Sequence, residues 1–86
     1  MTDEGGGTLY LTGSCFTDVS FADVYDTDAA SNGGTPMDVS NGYSHIDDED
    51  MDVYYVDAEV TAGDECQVYV VGAGGESNTV SYTASP

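Results

Sequence analysis

Aspartate and glutamate are the residues of this chain that could do chemistry: there are seventeen of them, against one histidine, His45, and no lysine or arginine. Carboxylates in pairs can serve as general acid and base when their surroundings push their pKa values apart. At this density close pairs arise from crowding alone, so a solvated acidic face is the expected arrangement. His45 has Ser44 beside it and Asp47 nearby, yet no nucleophile-elbow sequence accompanies them, and no cationic side chain can hold an oxyanion or phosphate. Gly72-Ala73-Gly74-Gly75 lacks the lysine and helix that follow a phosphate-binding loop and reads as a hairpin turn. The chain is expected not to be an enzyme and to need no cofactor.

Cations are the ligands such residues do suit. Asp47-Asp48-Glu49-Asp50-Met51-Asp52 places five carboxylates in six positions, and Asp23, Asp26 and Asp28 form a second group. Calcium takes about six to eight oxygens, so clustered carboxylates on a loop are the right donors. The spacing is not that of the twelve-residue calcium loop. Diffuse binding of potassium, sodium, magnesium or calcium is therefore expected, with Asp47, Asp48, Glu49, Asp50 and Asp52 the candidates for an ordered metal site. Zinc is not expected, since two cysteines and one histidine do not complete a four-ligand set at recognisable spacing.

The formal charge of −17 makes a compact state repel itself in dilute buffer. At about 1 M ionic strength the screening length falls to roughly 3 Å and the repulsion is largely removed, while hydrated carboxylates keep the surface soluble. A salt-saturated environment is the reading that follows. Disorder competes with it, but ten valines, seven tyrosines and two phenylalanines stand in short alternating runs between glycine, asparagine and aspartate clusters, a composition that disordered acidic tails lack. Direct binding to DNA, RNA or anionic membrane is excluded, because neutralising phosphate needs cations that the chain does not have. Its apolar runs are also far shorter than the roughly twenty residues of a spanning helix.

A chain of 86 residues forms one small domain that is marginal alone. Bridging Cys15 to Cys66 would close a loop of about fifty residues, worth roughly 4 kcal/mol on the chain-entropy model. A pair of buried free thiols is the alternative. Residues 1–7 hold no basic start and no apolar run, so no export signal is read there. A disulfide without an export signal points to virion components, assembled inside the cell and persisting outside it.

The elements that must position these groups have a period of two. Thr8–Thr12 predicts a first strand, and Cys15–Tyr25 alternates, with a bulge where Ala22-Asp23-Val24 shifts the phase. Residues 26–36 read as a turn-rich loop. Met37–Val39 and Gly42–Ile46 read as short strands around an Asn41-Gly42 turn. In Met51–Val60, Tyr54, Val56, Ala58 and Val60 are placed on one face. Cys66, Val68 and Val70 alternate against Gln67 and Tyr69, as do Val80 and Tyr82 against Thr79, Ser81 and Thr83. About seven strands with turns roughly every ten residues predict an all-β fold, a small antiparallel β-sandwich over residues 8–86. Residues 1–7 are read as a glycine-rich arm docked on a partner.

Val60-Thr-Ala-Gly-Asp-Glu-Cys66-Gln-Val68-Tyr-Val70, followed by Gly75-Glu-Ser-Asn-Thr-Val80-Ser-Tyr82-Thr, resembles the closing strands of fibronectin type III and related immunoglobulin-like domains. Cys66 stands where that family has its corner tyrosine, and the core tryptophan has no counterpart. The resemblance implies an immunoglobulin-like sandwich in which Cys15, on the second strand, and Cys66, on the sixth, occupy the inter-sheet disulfide positions.

What remains for partners is protein contact in high salt, where burial of valine and tyrosine still works. Other protein subunits are expected, as a homo-oligomer or a capsid or tail lattice, contacted through Gly5, Gly6, Gly7, Tyr54, Tyr55 and Tyr69. The function expected is a structural component of a halophilic archaeal virus located in the virion, such as a capsid decoration, turret or tail-associated subunit. The alternative is an extracellular immunoglobulin-like adhesion or surface-layer module of a haloarchaeon, with cation binding.

Overall fold

A computed structural model describes residues 1–77 and 79–84. The described chain is all-β and contains no α-helix, in keeping with its two-residue periodicity. Nine strands run β1 (Thr2–Gly5), β2 (Thr8–Thr12), β3 (Phe21–Ala29), β4 (Thr35–Asp38), β5 (Ser40–His45), β6 (Asp50–Tyr55), β7 (Glu65–Gly72), β8 (Gly75–Glu76) and β9 (Val80–Thr83). They form two antiparallel sheets, one ordered β1-β2-β6-β5, the other β4-β3-β7-β8 with β9 also pairing β7. The result is a small β-sandwich, compatible with an immunoglobulin-like arrangement. Asn78, within the turn read before the last strand, lies outside the described residues.

Alternation decides which residues meet between the sheets. Leu9 and Leu11 on β2 and Met51, Val53 and Tyr55 on β6 point inward from the first sheet, opposite Ala22 and Val24 on β3 and Val68 and Val70 on β7. Full burial of one such aliphatic side chain stabilises by about 1.5–3 kcal/mol relative to leaving it in water. Phe16 and Val19 close the core at one side. Val39 lies between β4 and β5, where the chain passes from one sheet to the other. It is 1% exposed, donates its N–H to the Val24 carbonyl at 2.9 Å, and accepts from Val56 N–H at 2.8 Å.

Residues 2–5 form the edge strand of the first sheet, in register with Tyr10, Leu9 and Thr8. The turn into β2 needs glycine at position 7. Its φ is +92°, and a Cβ there would lie 2.6 Å from the Tyr55 carbonyl oxygen.

Four local expectations are corrected. Residues 15–18 are not strand: Cys15 has φ 59°, and Phe16–Asp18 forms a 3-10 turn that tucks Phe16 into the core. Residues 26–29, read as loop, continue β3, because Asp26 and Ala29 still pair with Met37 and Thr35 across a bulge. Asn41-Gly42 is no hairpin turn, since β4 and β5 belong to different sheets. The inward phase of β6 is Met51, Val53 and Tyr55 rather than Tyr54, Val56, Ala58 and Val60. The strand stops at Tyr55, and Asp57–Glu59 turns as a 3-10 segment, so a single alternation never spans all ten positions.

Candidate functional site

The acidic run 47–52 is spread over a turn and the start of β6, and its carboxylates are taken up by nearby donors. Asp47 Oδ1 accepts the Glu49 N–H at 2.8 Å. Asp48 Oδ1 accepts the Thr17 hydroxyl at 2.8 Å and the Thr17 N–H at 3.3 Å. Asp50 Oδ1 accepts the Tyr10 hydroxyl. These donors hold Asp47 and Asp48 below the ordinary carboxylate pKa, the Glu49 N–H being the largest cause for the first and the Thr17 hydroxyl for the second. The same Asp50 bond raises Tyr10. Among the described residues these five acids do not converge as a ligand set. One group does: Asp26, Asp28 and Asp64 each bring a carboxylate oxygen within 4.8 Å of the others.

The sequence reading missed Asp64 because it lies in a turn far along the chain from Asp26. That turn is built by Asp64 itself, whose N–H donates to the Thr61 carbonyl at 3.0 Å and whose Oδ2 accepts the Thr61 N–H at 3.2 Å. Asp28 Oδ1 accepts the Glu65 N–H at 2.8 Å, and Asp26 Oδ1 accepts the Asp28 N–H at 3.3 Å. Asp26 is 0% exposed, and its Oδ2 meets no hydrogen-bond donor among the described residues. Burial, then the facing Asp64 carboxyl, pushes Asp26 up to about 7, while the bond to Asp26 holds Asp64 below its ordinary value. Two facing carboxyls in this arrangement can share a proton.

Asp23 is a contrasting case. It is also buried, at 3% exposure, but accepts hydrogen bonds from Ser40 Oγ at 2.6 Å and from the Tyr69 hydroxyl at 2.8 Å. Desolvation raises it, yet these hydroxyls outweigh burial and leave its pKa lowered.

The expected disulfide is absent: Cys15 and Cys66 are both free thiols. The strand read from Cys15 begins only at Phe21, so Cys15 falls before it in an exposed left-handed turn, while Cys66 sits inward on β7 at 0% exposure. Cys66 Sγ reaches the Asp64 carbonyl at 3.8 Å, and burial pushes the thiol up to about 12. The Tyr82 hydroxyl beside it is enclosed without a conventional partner among the described residues and is raised by the same desolvation.

Of the residues expected at an interface, Gly7 is buried and Tyr55 points into the core at 3% exposure. Tyr55 belongs to the inward phase of β6, and its hydroxyl donates to Asp3 Oδ1 at 3.0 Å. Gly5, Tyr54 and Tyr69 are half-buried, and Gly6 is exposed. A signal the sequence reading did not use is the outer face of the second sheet. There Phe21, 48% exposed, pairs with Val71, Asp23 with Tyr69, and Tyr25 with Gln67.

His45 is exposed and edge-on to Tyr43, with ring centroids 5.5 Å apart, on the sheet opposite Asp26. Two clefts open around Phe16. One, of about 280 Å³, is lined by Cys15, Asp18, Val70 and Gly72–Gly75. The other, of about 420 Å³, is lined by Met1, Leu11, Val68 and Val80. No family model matches the chain, and neither a curated protein nor a solved structure shows significant similarity to it.

Proposed function

We propose that the chain is a non-catalytic, immunoglobulin-like building module that works in brine, as a subunit on the outside of a halophilic archaeal virion: a capsid decoration, turret or tail-associated piece. The observation that carries the reading is a two-sheet core formed by a chain with seventeen carboxylates and no cationic side chain. Such a body is compact only where salt screens its surface, and its charge rejects nucleic acid and anionic lipid.

Strand order supports the immunoglobulin-like part. With the strands lettered in chain order, β1-β2-β6-β5 corresponds to A-B-E-D and β4-β3-β7-β9 to C′-C-F-G, the pairing used by that class of sandwich. Packing against other subunits is supported by Phe21, Tyr25, Tyr69 and Val71 on the outer face of the second sheet, where aromatic residues suit the buried centre of an interface. A second reading, an extracellular surface-layer or adhesion module, draws support from the converging Asp26, Asp28 and Asp64.

Light scattering in multimolar potassium chloride tests assembly. Wild-type chain should form a defined oligomer, and Phe21→Asp should remain folded but dissociate to monomer. A monomer at every concentration, or an oligomer indifferent to Phe21→Asp, would count against packing through this face.

A further inference from the structure

A carboxylate taken out of water must be paired with opposite charge or with hydrogen-bond donors. Asp23 meets that demand through Ser40 and Tyr69. Asp26 does not: its Oδ1 takes one backbone N–H, its Oδ2 takes none, and the residue is wholly buried. Two more carboxylates, those of Asp28 and Asp64, are turned toward it rather than away. The chain has no lysine or arginine to neutralise the trio, and His45 lies on the other sheet. Positive charge at this place comes from solution, as a proton held between Asp26 and Asp64 or as a metal cation.

We infer that Asp26, Asp28 and Asp64 bind a calcium ion at the end of the sandwich where β3 meets the turn entering β7. Oxygens bound to one calcium at about 2.3–2.6 Å can stand up to about 5 Å apart, and those of the trio lie within 4.8 Å of one another. Magnesium, with bonds of about 2.0–2.1 Å and a strict octahedron, dehydrates reluctantly and is less suited to a site built mainly of protein carboxylates. An all-oxygen donor set is unsuited to zinc or copper. The N–H groups of Asp28, Glu65 and Thr61 hold the carboxylates in orientation, as supporting partners do around metal ligands. Water completes the shell on the side of exposed Asp28. The ion clamps β3 to the Thr61–Asp64 turn. This site stands independently of the virion reading.

The test is calcium titration of chelator-treated protein in multimolar potassium chloride, read by calorimetry and by thermal unfolding, with magnesium in parallel. One calcium per chain should bind and raise the melting temperature more than magnesium does at equal concentration. Asp28→Asn, on an exposed residue, should keep the fold and weaken calcium binding by about tenfold or more, and Asp64→Asn should do the same. Asp47→Asn combined with Asp50→Asn should leave binding unchanged. Absence of saturable binding would overturn the assignment and leave a shared proton as the occupant. So would binding that survives both single substitutions, or tighter binding of magnesium.

Discussion

Asp26 and Cys66 face one another across the β3–β7 ladder, both at 0% exposure. An acid thus stands in the inward phase that Ala22 and Val24 share, next to a thiol walled from water. Cys66 is pushed up to about 12, first by burial and then by the Asp26 charge. A thiolate is the reactive form, so the structure separates the two cysteines by reactivity.

Alkylation followed by mass measurement should find one modified thiol in the native chain, at Cys15, and two after denaturation. A native chain lighter than the reduced one by two hydrogens, with no reactive thiol, would restore the disulfide that the structure lacks.

The same thiol sets an alkaline limit. Its proton is held up to about 12 in the folded chain against an ordinary 9.0. Between those values the unfolded chain loses the proton while the folded chain keeps it, so stability present below about pH 9 is lost as pH rises toward 12. Tyr55 and Tyr82, both raised by burial from an ordinary 10.0, act in the same direction from about pH 10 upward. Melting temperature measured in brine should fall across this window, and less steeply for Cys66→Val. A flat profile would contradict the burial of these groups.

Salt should control folding itself. Circular dichroism should show β-structure in multimolar potassium or sodium chloride and its loss on dilution, because screening at about 1 M confines repulsion to roughly 3 Å. An unchanged spectrum below about 0.1 M, where the screening length reaches about 10 Å, would reject the role assigned to brine.

Adjacent glycines should respond differently. Gly6 and Gly7 both have positive φ, but a Cβ on Gly6 meets nothing, whereas on Gly7 it strikes the Tyr55 carbonyl oxygen. Gly6→Ala should cost about 1–2 kcal/mol from backbone conformation alone. Gly7→Ala should cost more, read as a lower denaturation midpoint in high salt. Equal costs would mean that the turn shifts freely away from Tyr55.

Leu9 is 0% exposed at the centre of the core, and Leu9→Ala should destabilise by about 2–5 kcal/mol. In so small a domain that is enough to raise markedly the salt needed for folding.

Much of the fold was legible because alternation is a local signal. Cys66, Val68 and Val70 point inward as read, and Val80 and Tyr82 pair with Val68 and Cys66. The signal failed where backbone geometry intervened. The left-handed turn at Cys15 ends the strand reading and carries the thiol away from Cys66, and the 3-10 turn after Tyr55 hid the true phase of β6. The acidic trio was half-visible: Asp26 and Asp28 stood out as a close group in the sequence, though read on a loop rather than on β3. Asp64 was not visible, because only tertiary pairing brings its turn to β3. The run 47–52 drew notice by density, which marks solvation more than convergence.

Val39 hydrogen-bonds through its own N–H to one sheet and through its own carbonyl to the chain leaving the other. Peeling the halves apart therefore breaks at least one bond of a single amino acid, which ties the opening of the joint to this residue. The amide proton of Val39 should accordingly exchange with deuterium only when the entire molecule opens, which makes it the natural clock for global unfolding.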